Sequence, residues 1–131
     1  SIIIPTWRRF SPLISTLKDL LAQKYNNFEI IIGDQNSSCP EEFKEYLEIL
    51  KSDSKINWLY LPLLGVAQVR NELVKNSSGD ILLFIDDDVA IPNPQFIHNH
   101  VSNYRDLSIN AVVGREYSPK DKNLPEKITH S

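Results

Sequence analysis

Three nearly unbroken runs of branched and aromatic residues limit what this chain can become: Ile2-Ile3-Ile4, residues 28–33 and residues 81–85. Runs this short and this apolar suit strands buried on both faces, as in a parallel sheet covered by helices. The first run reads as a strand over 1–5, and further runs at 56–61 and 111–114 bring the predicted strands to five. The strand before the acidic triplet at 86–88 reads as central in the sheet, not as an edge.

Helix signals fill the gaps between these runs. Ser11-Pro12 reads as an N-cap followed by an N1 proline, and Leu13, Leu17, Leu20 and Leu21 then share one face. Pro40-Glu41-Glu42 opens a second helix, with carboxylates at its positive dipole end and a stripe of Phe43, Leu47 and Leu50. A third helix is predicted over 66–76, stopping at Ser77-Ser78-Gly79, and a fourth from Asn93-Pro94 with Ile97, Val101 and Tyr104 inward. Strands alternating with helices predict an α/β fold, a three-layer sandwich around a mainly parallel sheet. The tail after Tyr117 is polar and proline-bearing and is expected to be a loop or disordered end, so the domain is placed at 1–117 and the tail at 118–131.

At 131 residues the chain suits one domain with one sizeable core. A formal net charge of −3 argues against a general nucleic-acid binder. The lone Cys39 excludes an intrachain disulfide and a cysteine-rich zinc site, and suits a reducing compartment. His98, His100 and His130 form no ligand cluster. No apolar run reaches the ~18 residues of a membrane span. A chain that opens inside a strand without a methionine reads as a truncated piece of a longer protein. The expected location is cytoplasmic, with any membrane association made through other parts.

Ligands of open α/β sheets sit beyond the carboxyl ends of the strands. Pro5, Thr6, Trp7, Arg8 and Arg9 follow the first run, Asp34 to Ser37 the second, and Asp86-Asp87-Asp88 the fourth, while Arg70 and Asn71 lie on the third helix. Three adjacent carboxylates at a sheet end repel one another unless a cation or strong donors offset their charge. Their hard oxygens suit Mg²⁺ or Mn²⁺ bridging to substrate phosphates. The bland reading of the triplet is a solvated acidic turn. Asp34 suits either a nucleoside hydrogen bond or an Asx-turn. Arg70, Arg8 and Arg9 suit either a phosphate or a surface ion pair, and Trp7 either base stacking or packing. Trp58 reads as core.

Four of these segments, in order, resemble the family 2 glycosyltransferases, which have the GT-A fold. Ile2-Ile3-Ile4-Pro5-Thr6-Trp7-Arg8-Arg9 is similar to the family strand ending Pro-Thr-Tyr-Asn-Arg, with Trp7 and Arg8 in place of tyrosine and asparagine. Gly33-Asp34-Gln35-Asn36-Ser37 resembles the segment ending Asp-Asp-Gly-Ser, departing at Gln35. Gly65-Val66-Ala67-Gln68-Val69-Arg70-Asn71 looks like the Gly-x-x-x-Ala-Arg-Asn helix start, and Asp86-Asp87-Asp88 like the DxD motif that follows a strand.

The resemblance implies a glycosyltransferase that takes a nucleotide-diphosphate sugar, a UDP-sugar by frequency alone, to an unknown glycan or lipid-linked acceptor. It implies nucleoside contacts from Pro5, Thr6, Trp7 and Asp34, Arg70 near the base or diphosphate, and Asp86 and Asp87 near the ribose. Asp88, with Asp86, would hold Mn²⁺ or Mg²⁺. Family members invert the anomeric centre with a carboxylate general base, which is expected beyond Ser131; Glu116 and Asp121 are carboxylates available before it. Two competing readings are a haloacid dehalogenase-type phosphatase, whose Asp-x-Asp follows a first strand rather than a fourth, and a non-catalytic nucleotide-binding or interaction module.

Overall fold

The computed structural model describes residues 1–118. In chain order the elements are β1 (Ile2–Thr6), α1 (Phe10–Leu21), β2 (Ile30–Asp34), α2 (Glu41–Lys51), β3 (Ile56–Tyr60), α3 (Val66–Lys75), β4 (Leu83–Phe84) and α4 (Phe96–Ser102), with a short 3-10 turn at Asn103–Arg105. All strand pairs are parallel, in the order β3-β2-β1-β4.

Alternation of side chains along β1 and β2 divides the core between two faces. Ile2, Ile4, Ile30 and Ile32 pack with Leu13, Leu17 and Leu20 of α1 and Leu47 and Leu50 of α2. Ile3 and Ile31 point the other way, onto Val69 and Leu73 of α3. The expected α/β/α layering follows, with both faces of the two inner strands buried. Each of these leucines and isoleucines contributes roughly 1.5–3 kcal/mol by leaving water. α3 approaches β2 closely because residue 33 is glycine: a Cβ there would lie 2.7 Å from Val69 Cγ1 and 3.0 Å from Leu73 Cδ2.

The chain steps from β1 to β2 to β3 in one direction, then returns through α3 to lay β4 on the opposite side of β1. The switch point therefore lies between β1 and β4, and their carboxyl ends deliver Thr6 and the aspartates to one place.

Four expectations are corrected. Residues 111–114 form no strand: Val113 is exposed and no neighbouring strand meets this segment among the described residues. Without a ladder partner a short apolar run has no means of satisfying its backbone as a strand. The fourth strand is two residues long rather than five, and among the described residues it is an edge, not a central strand. α1 begins at Phe10 with Arg9 at the N-cap, so Ser11 lies inside the helix and caps nothing. α4 begins at Phe96, because Asn93 instead turns the chain by accepting from the Gln95 amide at 2.9 Å.

Candidate functional site

Thr6 closes β1 and is buried. Its hydroxyl donates to Asp87 Oδ2 at 2.7 Å, tying the end of β1 to the acidic turn across the switch point. Asp87 is 6 % exposed, whereas Asp86 and Asp88 reach solvent. The triplet thus splits by direction. Asp86 Oδ1 accepts from Arg70 Nη2 at 3.0 Å, Asp88 pairs with Arg9, and Arg9 also lies 3.6 Å from Asp87 Oδ1. Burial raises the Asp87 carboxyl above its ordinary range; the Thr6 hydroxyl and Arg9 oppose that shift, and Asp88 and Asp86 reinforce it.

Of the two adjacent arginines, Arg9 faces the aspartates while Arg8 lies over the Trp7 ring, 4.5 Å from its centroid. Arg8 holds a left-handed φ of 59°, uncommon for a side chain of this kind. Its amide donates to Asn36 Oδ1 at 2.7 Å, which fixes the loop after β1 against the loop after β2. Trp7 is 43 % exposed and lines an open cleft of about 870 Å³ with Arg9, Asn36, Ser37, Phe43 and Leu63.

Asp34 is 4 % exposed. Its Oδ1 accepts from the Asn36 amide at 2.9 Å and from Asn36 Nδ2 at 2.7 Å, which is an Asx-turn, and its Oδ2 accepts from Trp58 Nε1 at 3.0 Å. The chain of bonds from Trp58 through Asp34 and Asn36 to Arg8 runs from the middle of β3 to the end of β2 and the loop after β1. Gln35 adds a fourth link, its Oε1 accepting from the Leu64 amide at 2.7 Å. Trp58, read from sequence as core, and Asn36 and Gln35 are site-shaping residues whose parts no sequence pattern exposed. Pro5 lies half-buried beside Thr6 at the end of β1.

Arg70 rises from α3 one residue after the buried Val69 and turns to Asp86. Its Nε is buried with no hydrogen-bond partner among the described residues, a donor left over for an incoming acceptor. Solvent-exposed pairs such as Arg70–Asp86 and Arg9–Asp88 are worth about 0–1 kcal/mol, so a stronger ligand readily displaces them.

Among the described residues no three His, Cys, Asp or Glu side chains converge on one point. An ion of the Mg²⁺ type needs only one or two protein carboxylates and completes its shell with water and phosphate oxygens. Asp88 and Asp86 are exposed and could supply such carboxylates, whereas Asp87 is buried and bonded to Thr6. The phosphatase reading needs its Asp-x-Asp after a first strand, whereas Asp86 follows the fourth. Among the described residues no helix is long and apolar enough to cross a membrane. Glu116 is exposed in irregular chain, while Asp121 and the tail at 119–131 lie outside the described residues.

Comparison with known proteins agrees with the fold and extends it. The chain is 32% identical to the UDP-Glc:alpha-D-GlcNAc-diphosphoundecaprenol beta-1,3-glucosyltransferase WfgD of Escherichia coli, over 100% of this chain and 53% of that protein. A solved structure of S. aureus TarS 1-349 with UDP-GlcNAc superposes with a TM-score of 0.67 at 21% identity, over 89% of this chain and 36% of the other. The mannosyltransferase PcManGT from Pyrobaculum calidifontis, in complex with GDP-Man and Mn²⁺, gives a TM-score of 0.66 at 18% identity, over 76% and 30%. This chain thus spans about half of WfgD and about a third of either solved structure. At such identities the two structures establish the shared GT-A fold. The family model described as glycosyl transferase family 2 matches residues 1–130, and this chain belongs to that family.

Proposed function

We propose that this chain is the donor-binding part of an enzyme that transfers a sugar from a nucleoside-diphosphate donor to an acceptor hydroxyl, with divalent-cation dependence and inversion at the anomeric carbon. The observation that carries this reading is the cluster at the switch point. There Asp86, Asp87 and Asp88 meet Thr6, Arg9 and Arg70, beside the cleft that Trp7 and Arg9 line.

In this reading Trp7 and Pro5 present surfaces to the nucleoside. Asp34 and Thr6 hold the loops in shape, and Asp34 Oδ2, with one bond made, retains a lone pair for the nucleoside. Asp86 and Asp87 lie on the ribose side. Asp88, with Asp86, would hold Mn²⁺ or Mg²⁺, which when bound stabilises the departing diphosphate as a Lewis acid. Arg70 and Arg9 exchange their carboxylate partners for phosphate oxygens, aided by the unpartnered Arg70 Nε.

The donors named for WfgD and TarS support a UDP-sugar, while the GDP-Man of the mannosyltransferase keeps guanosine as the alternative. The acceptor in the name of WfgD supports a glycan or lipid-linked acceptor, which suits a cytoplasmic site brought to a membrane by other parts. The general base is left unassigned.

Calorimetry of the chain with UDP, GDP and dTDP, with and without Mn²⁺, tests the reading. One diphosphate should bind, more tightly with Mn²⁺, and Asp88→Asn should remove the metal-dependent gain. Equal gain in wild type and Asp88→Asn would sink the metal assignment. Absence of any nucleotide binding would favour an interaction module.

A further inference from the structure

The chain from Asp86 to Gln95 contains no helix or strand, so its backbone groups need partners from elsewhere. α1 supplies them. The Thr16 hydroxyl lies 2.9 Å from the Val89 carbonyl and 3.2 Å from the Asp87 carbonyl. Asp19 Oδ2 accepts from the Ile91 amide at 2.8 Å. Gln23 Nε2 donates to the Asn93 carbonyl at 2.9 Å, and Gln23 Oε1 accepts from the Ile97 amide at 3.2 Å. The Lys24 amide adds a bond to the Pro94 carbonyl at 2.9 Å.

Thr16 and Asp19 share one face of α1 and Gln23 follows just past its end, so the segment after β4 runs alongside α1 in the same direction. Thr16 is 1 % exposed and Gln23 6 %. Polar groups at such depth are unfavourable unless bonded. A threonine inside a helix ordinarily bonds back to its own preceding turn. Here the hydroxyl instead reaches across to the two carbonyls that flank Asp88 in sequence, and so fixes the backbone on both sides of it.

We propose that α1 is a template that sets the path of the acidic turn, and that Thr16 is a positioning residue for Asp88, acting through the backbone. This rests on the reading of Asp88 as the metal-binding carboxylate. Thr16 touches neither ion nor donor. Like the outer partners that orient metal ligands elsewhere, it acts on affinity for the ion by fixing where the carboxylate stands.

The test compares Thr16→Val, which keeps the shape and removes the hydroxyl, with Thr16→Ser, which keeps the hydroxyl. UDP and GDP binding to the full chain is measured with and without Mn²⁺, alongside amide exchange at Val89, Ala90 and Ile91. Thr16→Val should lower the Mn²⁺-dependent gain about tenfold or more, leave metal-free nucleotide affinity unchanged and speed exchange at Ile91. Thr16→Ser should retain wild-type values. A full Mn²⁺ gain in Thr16→Val, or equal losses with and without the ion, overturns the proposal. If wild type itself shows no Mn²⁺ gain, the metal reading fails. The exchange data then decide the template separately: unchanged protection at Ile91 in Thr16→Val refutes it, and faster exchange restored by serine upholds it.

Discussion

Asp87 combines burial with two acidic neighbours, so its charge is less favourable in the folded chain than in the unfolded one. The folded pKa is raised, and the sign follows. The favourable contribution of the neutral acid is present at low pH and is lost as pH rises through the folded value. Asp87→Asn keeps an oxygen for Thr6 and removes the charge. Its thermal stability relative to wild type should therefore increase between pH 3.5 and pH 7, and a flat difference across that interval would contradict the sign. Trp58→Phe addresses a different dependence. It leaves buried Asp34 Oδ2 without its indole donor, which should cost about 1–2 kcal/mol in a denaturant melt.

These residues also mark how much of the site was legible at this scale. Asp86, Asp87 and Asp88 stood out because charge beside a buried strand is rare enough to be noticed. Arg70, on a helix, was open between a phosphate and an ion pair, and it pairs with Asp86. Trp58 and Thr16 did not stand out, because an apolar or small residue in an apolar pattern looks like packing until its polar atom is seen to have a distant partner. Asp34 was open between two readings, and the Asx-turn is what its bonds to Asn36 form.

Among elements, the contact between β2 and α3 is the tightest test of packing. Gly33→Ala places a methyl against Val69 and Leu73, and overpacking of this kind costs about 1–3 kcal/mol. Shortening the opposing side chain in Gly33→Ala/Val69→Ala should recover part of that loss, a non-additivity read from chemical denaturation. Strictly additive losses would show that the helix moves away from the sheet. Helices α2 and α3 were readable nearly to their ends, since amphipathic periodicity repeats over several turns. β4 was overextended because its apolar run has no internal sign of where the neighbouring strand stops. Ladder length belongs to the pair, not to one strand.

At the scale of the molecule, the candidate site draws on four strand ends, so a ligand that joins them should stabilise the whole fold. A nucleoside diphosphate with Mn²⁺ at a hundredfold excess over its Kd should add about 2.7 kcal/mol, seen as a higher Tm than with either component alone. No shift at saturation would mean that the loops are not joined by the ligand.

The chain's own pattern was enough to determine the layered α/β class, the parallel sheet and the family, because hydrophobic periodicity and short motifs are local properties of the sequence. It also placed the acidic triplet at a strand end. Only the tertiary structure decided that this strand lies beside β1 at the switch point and that the triplet divides into one buried and two exposed carboxylates. Only it decided that Arg9 rather than Arg8 faces them, and that α1 holds the following segment in place. Those outcomes depend on residues some 70 to 80 positions apart meeting through a crossover, and no local pattern encodes such a meeting.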